Sequence, residues 1–119
     1  MAVVGAITGD VIALLGLSVP KDTPIYLGAS NIAHMQQKHA TDYAKYGADI
    51  VSILSAPDYV GTNPTDGSIE YVKEYVINHD FVKIAVRVST SGRYFARSLY
   101  VLNPRRAQNF IQKGTLKHT

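Results

Sequence analysis

From Ser68 onward the sequence alternates with a period of two. It does so over three consecutive runs, Ser68–Ile77, Phe81–Ser89 and Arg93–Leu102. A strand sends successive side chains to opposite faces, so this pattern predicts three antiparallel strands. Asn78-His79-Asp80 and a tight Ser91-Gly92 turn join them. If Ser91-Gly92 is a two-residue loop, Val88/Phe95, Ile84/Leu99 and Val82/Val101 pair on one face. If Asn78-His79-Asp80 is a three-residue loop, Val76 joins Val82 there, and Val72 joins Val86. That face is the expected core.

The opposite face then collects Tyr71, Lys73 and Tyr75, then Lys83, Ala85 and Arg87, then Tyr94, Ala96, Ser98 and Tyr100. It holds no carboxylate, whereas a solvated face ordinarily mixes both signs. One reading is an exposed face on which tyrosines cover their neighbours. The sharper reading is a platform for a phosphate backbone, with cations supplying charge and tyrosines stacking or hydroxyl contacts. On that reading Tyr71, Lys73, Lys83 and Arg97 are the substrate-binding candidates.

Ahead of the sheet the spacing is helical. Thr8 or Asp10 caps a short helix through Leu17, stopped by Pro20, and Ile25–Leu27 is a short strand. Ser30 caps a second helix bearing Ile32, His34, Met35 and His39. A third runs from about Thr41 to Ser55, and Pro57 ends it. Gly61 to Gly67 is dense in turn formers and reads as a surface loop. Asn103-Pro104 opens a last helix to Lys113, with Gly114 at its end. The expected fold is therefore α+β: N-terminal helices packed on one face of a C-terminal antiparallel β-meander, with a C-terminal helix. The 119 residues suit a single domain, with a helical part at about 1–56, a sheet at about 68–102 and a last helix at about 104–113. The apolar stretch Val3–Val19 carries Asp10 and three glycines and lacks basic residues before it, so it reads as a packing helix and not a membrane span or signal peptide.

Zero cysteines exclude a disulfide framework, a catalytic thiol and any thiolate metal site. Among the four histidines, His79 lies in a turn and His118 in the tail. His34 and His39 are five residues apart, not the four that aim two imidazoles at one metal. Neither a metal nor another cofactor is expected. Imidazole titrates near neutrality and can move protons to and from a ribose hydroxyl. Metal-free RNA cleavage needs a base, an acid and groups around the developing phosphorane. Histidine, here His34 and His39, can serve as base or acid, Arg87 or Lys83 can stabilise charge, and Ser98 and Tyr100 can donate hydrogen bonds. The net charge of +3 permits an anionic partner without demanding one.

Four segments together carry a resemblance: Asn31-Ile32-Ala33-His34-Met35-Gln36-Gln37-Lys38-His39, Ile53-Leu54-Ser55-Ala56-Pro57-Asp58-Tyr59-Val60-Gly61, Val82–Val88 and Ser98-Leu99-Tyr100-Val101-Leu102. In this order they resemble the phage-type branch of the barnase–EndoU–colicin–RelE-like nucleases. The resemblance implies a metal-independent endoribonuclease of toxin type that cuts tRNA or another cellular RNA and leaves a 2′,3′-cyclic phosphate. It implies active groups on the concave face of a curved sheet: His34 and His39 from the histidine segment, Arg87 from a strand, Ser98 and Tyr100 from the last strand. It further implies action in the bacterial cytoplasm, delivery within a larger secreted or phage-borne protein, RNA and a cognate inhibitor or immunity protein as partners, and no membrane. Ser98 stands where relatives often carry threonine and Lys38 where many carry arginine, so acid and base stay unassigned. Two other readings compete: a non-catalytic RNA-binding module, and a protein-interaction domain of a mobile element.

Overall fold

Short capped helices followed by alternating segments produce thirteen elements in a computed structural model that describes residues 1–119. They run β1 (Ala2–Ile7), α1 (Gly9–Leu15), β2 (Thr23–Leu27), α2 (Ala29–Lys38), α3 (Ala40–Tyr46), a 3₁₀ turn (Gly47–Asp49) and α4 (Ile50–Ser55). Then follow β3 (Tyr59–Thr62), β4 (Ile69–Tyr75), β5 (Asp80–Val88), β6 (Tyr94–Leu102), α5 (Pro104–Gln112) and β7 (Leu116–His118). The strands form one seven-stranded sheet in the order β1-β2-β6-β5-β4-β3-β7. All neighbours are antiparallel except β2 and β6, which share only Ile25↔Tyr94 and Tyr26↔Phe95. The fold is α+β. No helix is long and apolar enough to cross a membrane.

Local chemistry sets most boundaries. Thr8 Oγ1 accepts from the Val11 N–H, and Gly16 ends α1 in the left-handed region (φ 65°). At α2 the cap is Gly28 and not Ser30: the Gly28 N–H donates to Asn31 Oδ1 at 2.9 Å. The long helix expected over Thr41–Ser55 is broken at Gly47, which sits so close to the Tyr43 ring that a Cβ there would lie 2.9 Å from Cζ. Asn103 Oδ1 accepts from Arg105 and Arg106 N–H, with Pro104 in the first turn of α5.

Three strands lie outside the expected meander. Residues 2–7, all but Ala2 inside the stretch read as helix, form β1 and pair with β2 across the capped α1. Gly61, assigned to a loop, lies in β3 between β4 and β7. There a Cβ would run into the Thr115 carbonyl, so only glycine lets β7 approach.

The register differs from expectation at two places. Val82↔Val101 and Ile84↔Leu99 pair as the alternation requires, but the register slips after Ala85. Ser98 faces Ala85 while Ala96 faces Val86, so Arg97 is the extra residue of a β-bulge and Val88 meets Tyr94, not Phe95. On the other side Tyr71 pairs with Ile84, Lys73 with Val82 and Tyr75 with Asp80. The connecting loop is Val76–His79, with His79 at φ 57°, instead of Asn78–Asp80. This is a three-residue displacement. An odd displacement exchanges faces. Tyr71, Lys73 and Tyr75 thus join the helix-facing side, Val76 is exposed in the turn, and Glu70, Val72 and Glu74 take the opposite side.

The main core lies between the sheet and α1, α2 and α4, with Ile7, Ile25, Met35, Ile53, Tyr71, Ile84 and Leu99 fully buried. A smaller cluster of Val72, Phe81, Leu102, Ala107 and Leu116 lies on the opposite face under α5. Between Ser98 and Leu102 the edge of β6 has no strand partner. Asp42 Oδ2 accepts from the Val101 N–H at 3.0 Å there, and α2 packs along the same strand.

Candidate active site

Two rungs of the β5–β6 ladder found the site. Ala85↔Ser98 and Lys83↔Tyr100 project from the face opposite the main core, with Arg87 two residues further along β5. The bulge brings Arg97 alongside Ser98. Bulges commonly re-aim a side chain beside functional sites. Along the free edge of β6, α2 buries Met35 in the main core and leaves His34 exposed. A cavity of about 390 Å³ results. Its wall is built by His34, Arg87, Arg97, Ser98, Asn31 and Asp66, and only Ala85 in the lining is hydrophobic.

Electrostatics organise this cavity. Asp66 Oδ2 lies 3.5 Å from Arg87 Nη1, both side chains being about 40% exposed. Hydrogen bonding by Ser68, chiefly, and the Arg87 charge hold the Asp66 carboxyl below the usual carboxylate range. Arg97 makes no ion pair. The cavity thus presents one guanidinium tethered to the Asp66 carboxylate, one free guanidinium, an imidazole and the serines Ser30, Ser68 and Ser98.

A second row runs beside it. His39 terminates α2 with φ −139°, ψ 56°, and its ring stacks on Tyr100 with centroids 4.9 Å apart and planes 25° from parallel. Off the helix, His39 escapes the angular separation that regular helical spacing would impose on it and His34. Lys83 Nζ lies 4.8 Å from the centroid of the same Tyr100 ring and 2.6 Å from Glu70 Oε2. Lys83 and Glu70 are both 8% exposed. Burial pulls the Lys83 pKa down, but bonding and charge from Glu70 and Tyr100 outweigh it, and the net shift is upward. The row is His39, Tyr100, Lys83, Glu70.

His34, Arg87, Ser98 and Arg97 therefore line one cavity, while His39, Tyr100 and Lys83 form the row along the same face. Tyr71 and Lys73 do not join them. Tyr71 is wholly buried in the main core. Lys73 Nζ donates to the Ala56 carbonyl at 3.1 Å and lies 3.8 Å from Asp58, clipping the chain after α4 to β4. Nor is the face free of carboxylates: Glu70 and Glu74 lie on it, and Asp66 approaches from the preceding loop. Sequence reasoning missed Glu70, because the wrong β4 register turned it inward. It missed Asp66 too, because a turn residue carries no mark of the strand it will reach. No three His, Asp or Glu side chains cluster as a metal site would require.

A family model described as phage-Barnase-EndoU-ColicinE5/D-RelE like nuclease3 matches residues 1–109, almost the whole chain. No curated protein and no solved structure matches at a significant level.

Proposed function

We propose, from the premise that this chain belongs to the phage-Barnase-EndoU-ColicinE5/D-RelE like nuclease family, that it is a metal-independent endoribonuclease. The single observation that carries this reading is the convergence of His34, Arg87, Arg97 and Ser98 on one polar cavity. A phosphodiester seated there meets two guanidiniums, which neutralise charge as it grows on the phosphorane oxygens. The Ser98 hydroxyl donates to a phosphate oxygen.

The reaction is in-line attack of the ribose 2′-oxygen on the neighbouring phosphorus. A P–O2′ bond forms, the P–O5′ bond breaks, the 2′-proton passes to a base and the departing 5′-oxygen takes a proton from an acid. The products are a 2′,3′-cyclic phosphate and a 5′-hydroxyl. His34 in the cavity and His39 on the adjoining row are the proton-transfer pair. Cations in the protein supply the charge stabilisation that a metal supplies elsewhere. A tRNA or other structured cellular RNA is the proposed substrate, the bacterial cytoplasm the proposed place of action, and a protein that fills the cavity the proposed inhibitor.

The test is incubation of purified protein with total RNA in EDTA, followed by end-group analysis. Cleavage with cyclic phosphate ends, abolished together by His34→Ala and Arg87→Ala, is expected. Intact RNA at high protein concentration, or undiminished cleavage by both variants, overturns the reading. Salt-sensitive binding without cleavage would leave an RNA-binding module in its place.

A further inference from the structure

A second cavity of about 390 Å³ opens on the same face beyond the Lys83↔Tyr100 rung, between β6, the loop after β3 and α5. Its wall includes Asn63, Lys83, Tyr100, Arg106, Phe110 and Lys113. Arg106 and Phe110 are one helical turn apart on α5, with the guanidinium carbon 5.7 Å from the ring centroid. The only carboxylate in the lining, Glu70, is committed to Lys83. Arg106 and Lys113 have no ion-pair partner, and α5 carries no acidic residue at all. Asn63 Oδ1 accepts from the Thr65 N–H, which fixes the amide and leaves its NH₂ group to donate.

Such a wall joins the Phe110 ring, half-buried against the smaller core, two cations without a carboxylate partner and a fixed amide donor. These are the elements with which proteins hold a single-stranded nucleotide: stacking for the base, charge for the phosphate and a donor for the base edge. An ordinary small-molecule cavity is mostly apolar. Here the apolar lining residues are few and the free charge has one sign.

The spacing connects the two cavities. Ala85↔Ser98 belongs to the first and Lys83↔Tyr100 to the second; on one strand these positions are two residues apart, about 7 Å. That is the scale of a single nucleotide step. We propose that the α5 cavity is a nucleotide subsite that takes the residue adjoining the scissile phosphate, its base against Phe110 and its phosphate against Arg106 and Lys113. The assignment rests on the ribonuclease reading for what occupies the first cavity, but it makes a separate claim about binding. It also gives α5 a role in choosing where the strand is cut, since the base on Phe110 fixes which phosphate reaches Arg87.

The experiment uses a fluorescein-labelled 2′-deoxy hexanucleotide, which lacks the nucleophile and reads binding alone. Its all-ribo counterpart reads cleavage. Anisotropy titrations over a salt series are expected to show Arg106→Gln and Lys113→Gln each flattening the slope of log affinity against log salt by about 0.7. Phe110→Leu keeps the apolar volume under α5 and removes the π-face; it is expected to weaken binding roughly tenfold with the slope unchanged. Unchanged affinity and slope in all three variants, or failure of the wild-type protein to bind the deoxy strand, overturns the subsite. Binding with these losses while the ribo strand stays intact sustains the subsite and sinks the ribonuclease reading. Cleavage with no effect of the three variants on binding does the reverse.

Discussion

The imidazole of His39 lies on the phenol ring of Tyr100, centroids 4.9 Å apart and planes 25° from parallel. This stack pins the corner between α2 and α3 to the last long strand, and it sets a titratable ring on the same face as the cavity lined by His34. The stack gives His39 a structural role beside the chemical one proposed for it, and substitutions can part them.

His39→Phe retains a flat ring over Tyr100 but no proton to transfer. It is expected to unfold within about 0.5 kcal/mol of the wild type while RNA cleavage falls 100-fold or more. His39→Ala loses the stack as well and should cost about 1 kcal/mol. Urea denaturation and cleavage rates on the same preparations separate the two; a His39→Phe protein of full activity would remove His39 from the mechanism.

The buried Lys83–Glu70 pair at 2.6 Å is expected to matter most when half of it is removed. Glu70→Gln leaves Lys83 short of its counter-charge and should cost about 3 kcal/mol, much of it regained in Glu70→Gln/Lys83→Met. The folded-state pKa of Lys83 is raised above its ordinary 10.5. Its contribution is therefore complete below that value and lost as pH rises through the folded one. The double variant should show a shallower alkaline loss of stability, the remainder arising from Tyr71 and Tyr75, whose burial holds them protonated.

At the acid end the corresponding group is Asp80. It accepts from the Tyr46 hydroxyl and from Lys45, and both bonds hold its pKa below the ordinary 3.8. A depressed carboxylate adds stability above its unfolded pKa and loses it as pH falls through the folded one. Asp80→Asn should therefore lose about 1 kcal/mol at neutral pH and show a flatter decline below pH 4. Thermal melts from pH 7 to pH 2 provide the comparison; parallel curves would contradict the assignment.

Tyr71 carries a hydroxyl that is buried and has no hydrogen-bond partner. Tyr71→Phe removes that unsatisfied group and keeps the ring, so stability is expected to hold or rise by about 1 kcal/mol. RNA affinity should not change, since the side chain lies on the helix-facing side. A fall in affinity at unchanged stability would restore Tyr71 to the substrate face.

How far the sequence alone reaches can be traced residue by residue. Period-two alternation located β4, β5 and β6 to within a residue or two, because half-burial writes itself directly into the order of side chains. Val82↔Val101 and Ile84↔Leu99 followed from it. The Pro-Asp-Tyr-Val-Gly and histidine segments carried the family. His34, Arg87 and Ser98 could be singled out as candidates because helix or strand spacing aims an imidazole, a guanidinium and a hydroxyl outward, and the structure brings them to one cavity with Arg97.

Other features arose only in three dimensions. Pairing register depends on a loop's backbone, and a four-residue loop with His79 at φ 57° moved β4 by three positions, sending Tyr71 and Lys73 inward and Glu70 outward. The bulge at Arg97 depends on how β6 meets both β5 and α2, which no run of letters along β6 records. β3 and β7 are short and β1 lies at the sheet edge, and edge or long-range pairing stabilises them more than their own propensity does. Sequence thus determined which segments alternate and which groups were available; tertiary structure decided which face each group occupies. The reason is that alternation defines two faces but only pairing and packing tell them apart.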